Sequence, residues 1–107
     1  MNKGVSRQSV TGSLSKAELC WIKDSDVRFL FGYVIEHSST RYEKGDWFAT
    51  SYIVNIEAFE GHYLFTTANS LYLVESFEMI EIPWIAVNNI RMGTPPKKAL
   101  RLLKSNY

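Results

Sequence analysis

In the stretch VRFLFGYVIEH the odd positions Val27, Phe29, Phe31, Tyr33 and Ile35 are all apolar, while the even ones, Arg28, Leu30, Gly32, Val34 and Glu36, are mixed. A period of two predicts a β-strand whose odd face is core. Gly32 inside it predicts a bulge or a close backbone approach. WFATSYIVNIEAF reads as a second strand, with Phe48, Thr50, Tyr52, Val54 and Ile56 on one side and Trp47, Ala49, Ser51, Ile53 and Asn55 on the other. Both sides carry apolar groups, which suits a central strand, a barrel strand under a helix, or an oligomer contact. HYLFTTA and LYLVE give strands three and four, and SFEMIEI a fifth, ended by Pro83.

The flanks read differently. Residues 1–13 are polar with no periodicity and predict a mobile tail before one compact domain over 14–107. SLSKAELCWI predicts a short helix capped by Ser13 or Ser15, with Leu19 and Ile22 on one side. WIAVNNIRMG fits a helix, with Trp84, Val87 and Ile90 three apart, or equally one turn followed by a short strand. GTPPKKALRLLKS predicts a C-terminal helix with Thr94 as N-cap and Pro95 in its first position. Its apolar stripe is Ala99, Leu100 and Leu103, with Leu102 beside it. The predicted fold is mainly β: about five strands in meander order, as a bent antiparallel sheet or small SH3-like barrel with a short N-terminal and a C-terminal helix.

Charge is segregated. Between Gly45 and Ile90 stand Asp46, Glu57, Glu60, Glu75, Glu78 and Glu81 with no Lys or Arg; from Arg91 onward stand Arg91, Lys97, Lys98, Arg101 and Lys104 with no acid. A sheet so acidic is poorly suited to phosphate, so a nucleic-acid contact falls to the basic helix residues Lys97, Lys98, Arg101 and Lys104. No apolar run approaches the ~20 residues of a membrane helix, and no secretory h-region is visible. A single cysteine, Cys20, excludes an internal disulfide, and a cytoplasmic location is expected.

Reactive chemistry is sparse. His37, His62 and Cys20 lack metal-ligand spacing, and the glycines form neither phosphate-binding pattern. A nucleophile elbow is missing too. Neither a cofactor, a metal nor catalysis is expected. The polar set in FTTANSLYL stands out. Thr66, Thr67, Asn69 and Ser70 read as a turn with its ladder neighbours, Asn69-Ser70 taking the place of a two-residue hairpin loop. Thr50 and Ser51 would face Thr66 and Thr67 if their strands pair. The other reading is a ligand pocket of Ser51, Thr67 and Asn69 rimmed by Trp47, Tyr52 and Tyr72.

Thr50, Ser51, Ile53, Phe65, Thr67, Asn69, Ser70 and Tyr72 form the pattern T-S-x-I, a turn, then F-x-T-x-N-S-x-Y. It resembles small uncharacterised bacterial proteins of mobile gene cassettes, prophages and accessory genomic regions. The resemblance covers about a third of the chain and implies a bacterial cytoplasmic accessory protein of no known activity.

Six Tyr, six Phe and three Trp exceed what a domain of 107 residues hides alone. Three functions are therefore expected in order. The first is a non-enzymatic interaction module, a homo-oligomer with Trp47, Tyr52 and Tyr72 as contacts. The second is a nucleic-acid-associated protein using the basic helix. The third is a small-ligand binder at the hydroxyl set.

Overall fold

The structure is a computed structural model and describes residues 10–105. Among the described residues seven strands, β1 (Gly12–Ile22), β2 (Arg28–His37), β3 (Trp47–Tyr52), β4 (Asn55–Phe59), β5 (His62–Thr66), β6 (Leu71–Val74) and β7 (Phe77–Ile82), precede two helices, α1 (Trp84–Arg91) and α2 (Pro96–Ser105). The mainly-β expectation is met. The sheet runs β3-β2-β1-β6-β5-β4, with β7 also on β1.

The expected N-terminal helix is strand β1, at the centre of the sheet. Gly12 and Ser13, assigned by sequence to the tail, belong to it; residues 1–9 of that tail lie outside the described residues. β1 pairs antiparallel with β2, but parallel with both β6 and β7. The sheet is thus mixed. Gly12–Leu14 take Tyr72–Val74, and Ala17–Ile22 take Phe77–Ile82, so β6 and β7 act as one strand interrupted at Glu75-Ser76.

At the same level β1 carries a bulge. Ser15 pairs with Tyr33 but Glu18 with Phe31, and Lys16 takes up the extra residue with φ 51°. Gly32 lies opposite, where a Cβ would sit 3.0 Å from the Ser15 carbonyl and 3.3 Å from the Leu14 Cβ. The close approach read from sequence is real, and a side chain there would press on the Ser15 backbone, which would have to give by a few tenths of an ångström.

The second predicted strand breaks in two. β3 passes directly into β4 through Ile53-Val54, the buried Ile53 turning the corner. β3 and β4 are the two ends of the strand order, so this corner brings the sheet's edges together at one point. They share no ladder, and the sheet is curled but not closed into a barrel.

Curling leaves two cores. On one face Cys20, Ile22, Phe29, Phe31 and Ile82 meet Ala86, Val87, Ile90 and Ala99 from the helices. On the other Leu14, Ala17, Leu19, Leu30 and Val34 meet Phe65, Tyr72 and Val74 from the far half of the sheet. β2 is therefore buried on both faces, not on its odd face alone: Phe29 and Phe31 serve the first core, Leu30 and Val34 the second.

Residues 84–91 are helix, and Ala86, Val87 and Ile90 form its inner side. Trp84 points away from the core. In α2 the Ala99 amide donates to the Pro95 carbonyl at 2.9 Å, one residue later than the predicted start. Ala99 is buried and Leu100 and Leu103 pack beside it, as the stripe predicts.

Candidate functional site

The surface where α1 meets β3 collects the most chemistry. β3 bulges: Phe29 pairs with Tyr52 and Phe31 with Ala49, giving β3 one residue more than β2. The buried Thr50 absorbs the irregularity. Its hydroxyl accepts the Leu30 amide at 3.0 Å and donates to the Ser51 carbonyl at 2.7 Å. The Thr50 carbonyl is taken up by Arg91, whose Nη1 donates to it at 2.8 Å. The Arg91 guanidinium also lies 5.1 Å from the Phe29 ring centroid and 6.0 Å from that of Tyr52. Arg91 thus ties the end of α1 to an edge strand.

Beside it Trp47 stacks on Phe31, ring centroids 6.2 Å apart and planes within 6°. Gly93, at φ 114°, lies against the indole, and a Cβ there would fall 3.0 Å from Trp47 Cε2. Trp47 and Tyr52 nevertheless remain about half exposed. Arg41, Tyr42, Asp46, Trp47, Phe48, Ala49 and Arg91 frame a groove of about 520 Å³.

The predicted pocket does not assemble as one site. Tyr72 is buried in the second core, its ring 5.4 Å from Phe48 and 6.2 Å from His37. Ser51 is exposed next to the β3 bulge, while Thr67 and Asn69 belong to the β5–β6 turn. β5 pairs with β4 and β6, not with β3, so Thr50 and Ser51 do not face Thr66 and Thr67 across a ladder.

Thr67 builds the turn itself. Its amide donates to the Ser70 carbonyl at 2.9 Å, and its hydroxyl accepts the amides of Ser70 at 3.0 Å and Asn69 at 3.4 Å. The central pair is Ala68-Asn69, one residue earlier than the sequence suggested. Thr67 is buried, so Thr67→Val keeps its shape but strands the Ser70 amide. We expect a loss of about 1–2 kcal/mol in urea unfolding; an unchanged midpoint would show that water replaces the hydroxyl.

His37 ends β2 inside an aromatic cluster, with centroids 4.6 Å from Tyr42 and 5.1 Å from Phe48. Its Nδ1 accepts the Ser39 amide at 3.0 Å, which assigns the ring proton to Nε2. Nε2 is buried with no hydrogen-bond partner among the described residues. Burial lowers the His37 pKa from its ordinary 6.5. The unfolded chain therefore binds this proton more readily, and the contribution of His37 to stability falls as pH drops below about 6.5. His37→Phe is expected to flatten that decline between pH 7 and 5, read from melting temperatures. An equal slope in both proteins would place the titration elsewhere.

His62 is a strand-start histidine, its Nδ1 3.1 Å from the Glu60 carbonyl. Cys20 is fully buried, and burial pushes its thiol up to about 12, with Glu18 adding to the rise and Arg91 opposing it. Such a thiol is inert. Among the described residues no group of three His, Cys, Asp or Glu side chains is placed to hold a metal ion.

Half-buried Glu18 lies beside Glu78 on the adjacent strand. Burial raises its pKa, Lys97 offsets part of this, and Glu78 adds to it. Lys97 Nζ bonds Glu78 Oε1 at 3.0 Å on an exposed surface. The other basic-helix residues, Lys98, Arg101 and Lys104, are exposed around a shallow groove shared with Leu102.

Sequence reasoning missed Arg91, the residue that joins Trp47 and Tyr52 into one surface. Its only signal was position: the first base after a long run without any. No family model, no curated protein and no solved structure matches this chain. No helix among the described residues is long and apolar enough to cross a membrane.

Proposed function

We propose that this chain is a non-enzymatic interaction module that works by associating with copies of itself, in the setting of a bacterial cytoplasmic accessory protein. One observation carries the reading. Large apolar side chains crowd the α1 surface: Trp84 is 61%, Ile85 63% and Met92 73% exposed, and the half-exposed Trp47 and Tyr52 adjoin the end of that helix. Isolated apolar residues on a surface are ordinary, whereas a cluster of this kind favours a partner. Tyr72, expected as a contact, serves the core instead. Size-exclusion chromatography with light scattering tests the reading. A mass of twice the chain or more is expected at micromolar concentration; a monomer at every concentration overturns it.

A second reading is a nucleic-acid-associated protein that uses α2. Lys98, Arg101 and Lys104 share an exposed side of α2, while Lys97 is engaged by Glu78. Three phosphate contacts would give binding that weakens steeply with salt. Retention on heparin at low salt that Lys98→Glu with Arg101→Glu abolishes would support it, and absence of retention would end it.

A further inference from the structure

Helix α1 is apolar on both sides. Ala86, Val87 and Ile90 face the sheet, and Trp84, Ile85 and Met92 face outward with Asn88 and Asn89 between them. Apart from Asn88 and Asn89 the helix is apolar on every side, a pattern suited to an interior, yet among the described residues only its inner side is covered. No ionisable side chain lies on the outer side, because Arg91, the only charged residue of the helix, reaches back to Thr50 and Phe29.

The two ends of α1 differ in charge. At its start the Lys23 amide donates to the Ile82 carbonyl at 2.8 Å, which fixes the β1–β2 turn there. That turn bears Asp24 and Asp26 against Lys23, and Glu81 stands three residues before the helix. At its end Arg91 and Arg41 share the groove beside Trp47, with Asp46 the only acid among its lining residues.

We propose that a second copy of this chain covers the outer side of α1, the two α1 helices packing antiparallel across a two-fold axis. This rests on the self-association reading and specifies its surface. An uncharged patch facing itself sets no like charges together. Antiparallel pairing places the acidic turn of each copy toward the Arg41–Arg91 groove of the other, and the helix dipoles oppose favourably. A nucleic acid would need cations on the patch. An anionic membrane would be opposed at the acidic end of the helix by Asp24, Asp26 and Glu81.

Two variants test the surface. Asn88→Cys puts a thiol in the middle of the outer side, where helices 8–10 Å apart allow a disulfide across the axis. Cys20, buried with its thiol pushed up to about 12, does not compete. Mild oxidation is expected to convert more than about half of this variant into a covalent dimer, visible on a non-reducing gel. Ile85→Glu, at an exposed position, is expected to turn the dimer into a monomer by light scattering with an unchanged far-ultraviolet circular dichroism spectrum. If the unmodified chain is a dimer, but Asn88→Cys does not cross-link and Ile85→Glu stays dimeric, the surface is wrong and self-association stands. If the unmodified chain is monomeric throughout, both fall. Should Ile85→Glu misfold, cross-linking alone decides.

Discussion

Phe31→Ala is expected to remove about 3–5 kcal/mol of folding stability, the usual range for emptying a fully buried phenylalanine site. The ring is buried at the centre of the core under the helices. Trp47 stacks on it, and Tyr33 meets it edge-on with centroids 5.8 Å apart. Its backbone lies where two irregularities converge, the β1 bulge on one side and the β3 bulge on the other. A strand held between two bulges has little freedom to close over a void, so the upper part of the range is expected. A domain of this size has roughly 5–15 kcal/mol in total, and the variant will populate unfolded chain at physiological temperature. Urea unfolding with an unchanged m-value measures the loss. A loss under about 1 kcal/mol would show that the helices collapse inward to fill the space.

Arg91→Ala is expected to cost about 2–4 kcal/mol, more than an ordinary helix-end arginine. Removing it leaves the Thr50 carbonyl without its donor, at about 1–3 kcal/mol for a buried group. It also removes the cation over Phe29, worth about 0.5–2 kcal/mol according to desolvation. Arg91→Lys should recover little of this: an ammonium carries the charge but not the planar fork that reaches the carbonyl while lying over two rings. If lysine restores stability fully, the interaction is charge alone and the bond to Thr50 contributes nothing. A cycle with Tyr52→Ala separates the exposed ring, which should couple weakly, from the buried Phe29.

Both residues show how far the sequence could be read. Strands β2, β5, β6 and β7 and helix α2 were legible, since alternation or capping chemistry marks each one. β1 was not, for a definite reason. The bulge at Lys16 shifts the alternation by one, so the inward residues are Leu14, Ala17 and Leu19. The three-residue step from Leu14 to Ala17 imitates a helical period, and Lys, Ala, Glu and Leu around it are good helix formers. β3 and β4 merged in the reading because the corner at Ile53-Val54 carries no Gly or Pro. The parallel partnership of β1 with β6 and β7 leaves no local mark at all.

The site was legible in half. Trp47 and Tyr52 were singled out from composition, and both lie on the surface beside α1. Thr67 was read as a strand residue beside an Asn69-Ser70 loop, whereas its amide and hydroxyl hold the turn around Ala68-Asn69. Tyr72 was misplaced because a tyrosine in an alternating strand reads the same whether it faces solvent or lies beneath His37 and Phe48. The outer side of α1 could not be foreseen while helix and turn were equally good readings of residues 84–92.

The position of β1 governs when the protein can become itself. Ala17 pairs with Phe77 and Ile22 with Ile82, sixty residues on in each case. During synthesis β1 has only β2 on one flank, and its other flank stays open until β6 and β7 have left the ribosome. Loop closure on that scale makes assembly slow for a chain this short, on the order of milliseconds to seconds. In that interval an unsatisfied strand bearing Leu14, Leu19, Cys20 and Ile22 is a template for mispairing. Yield on expression should therefore depend on temperature and on chaperones more than the finished structure's stability would suggest.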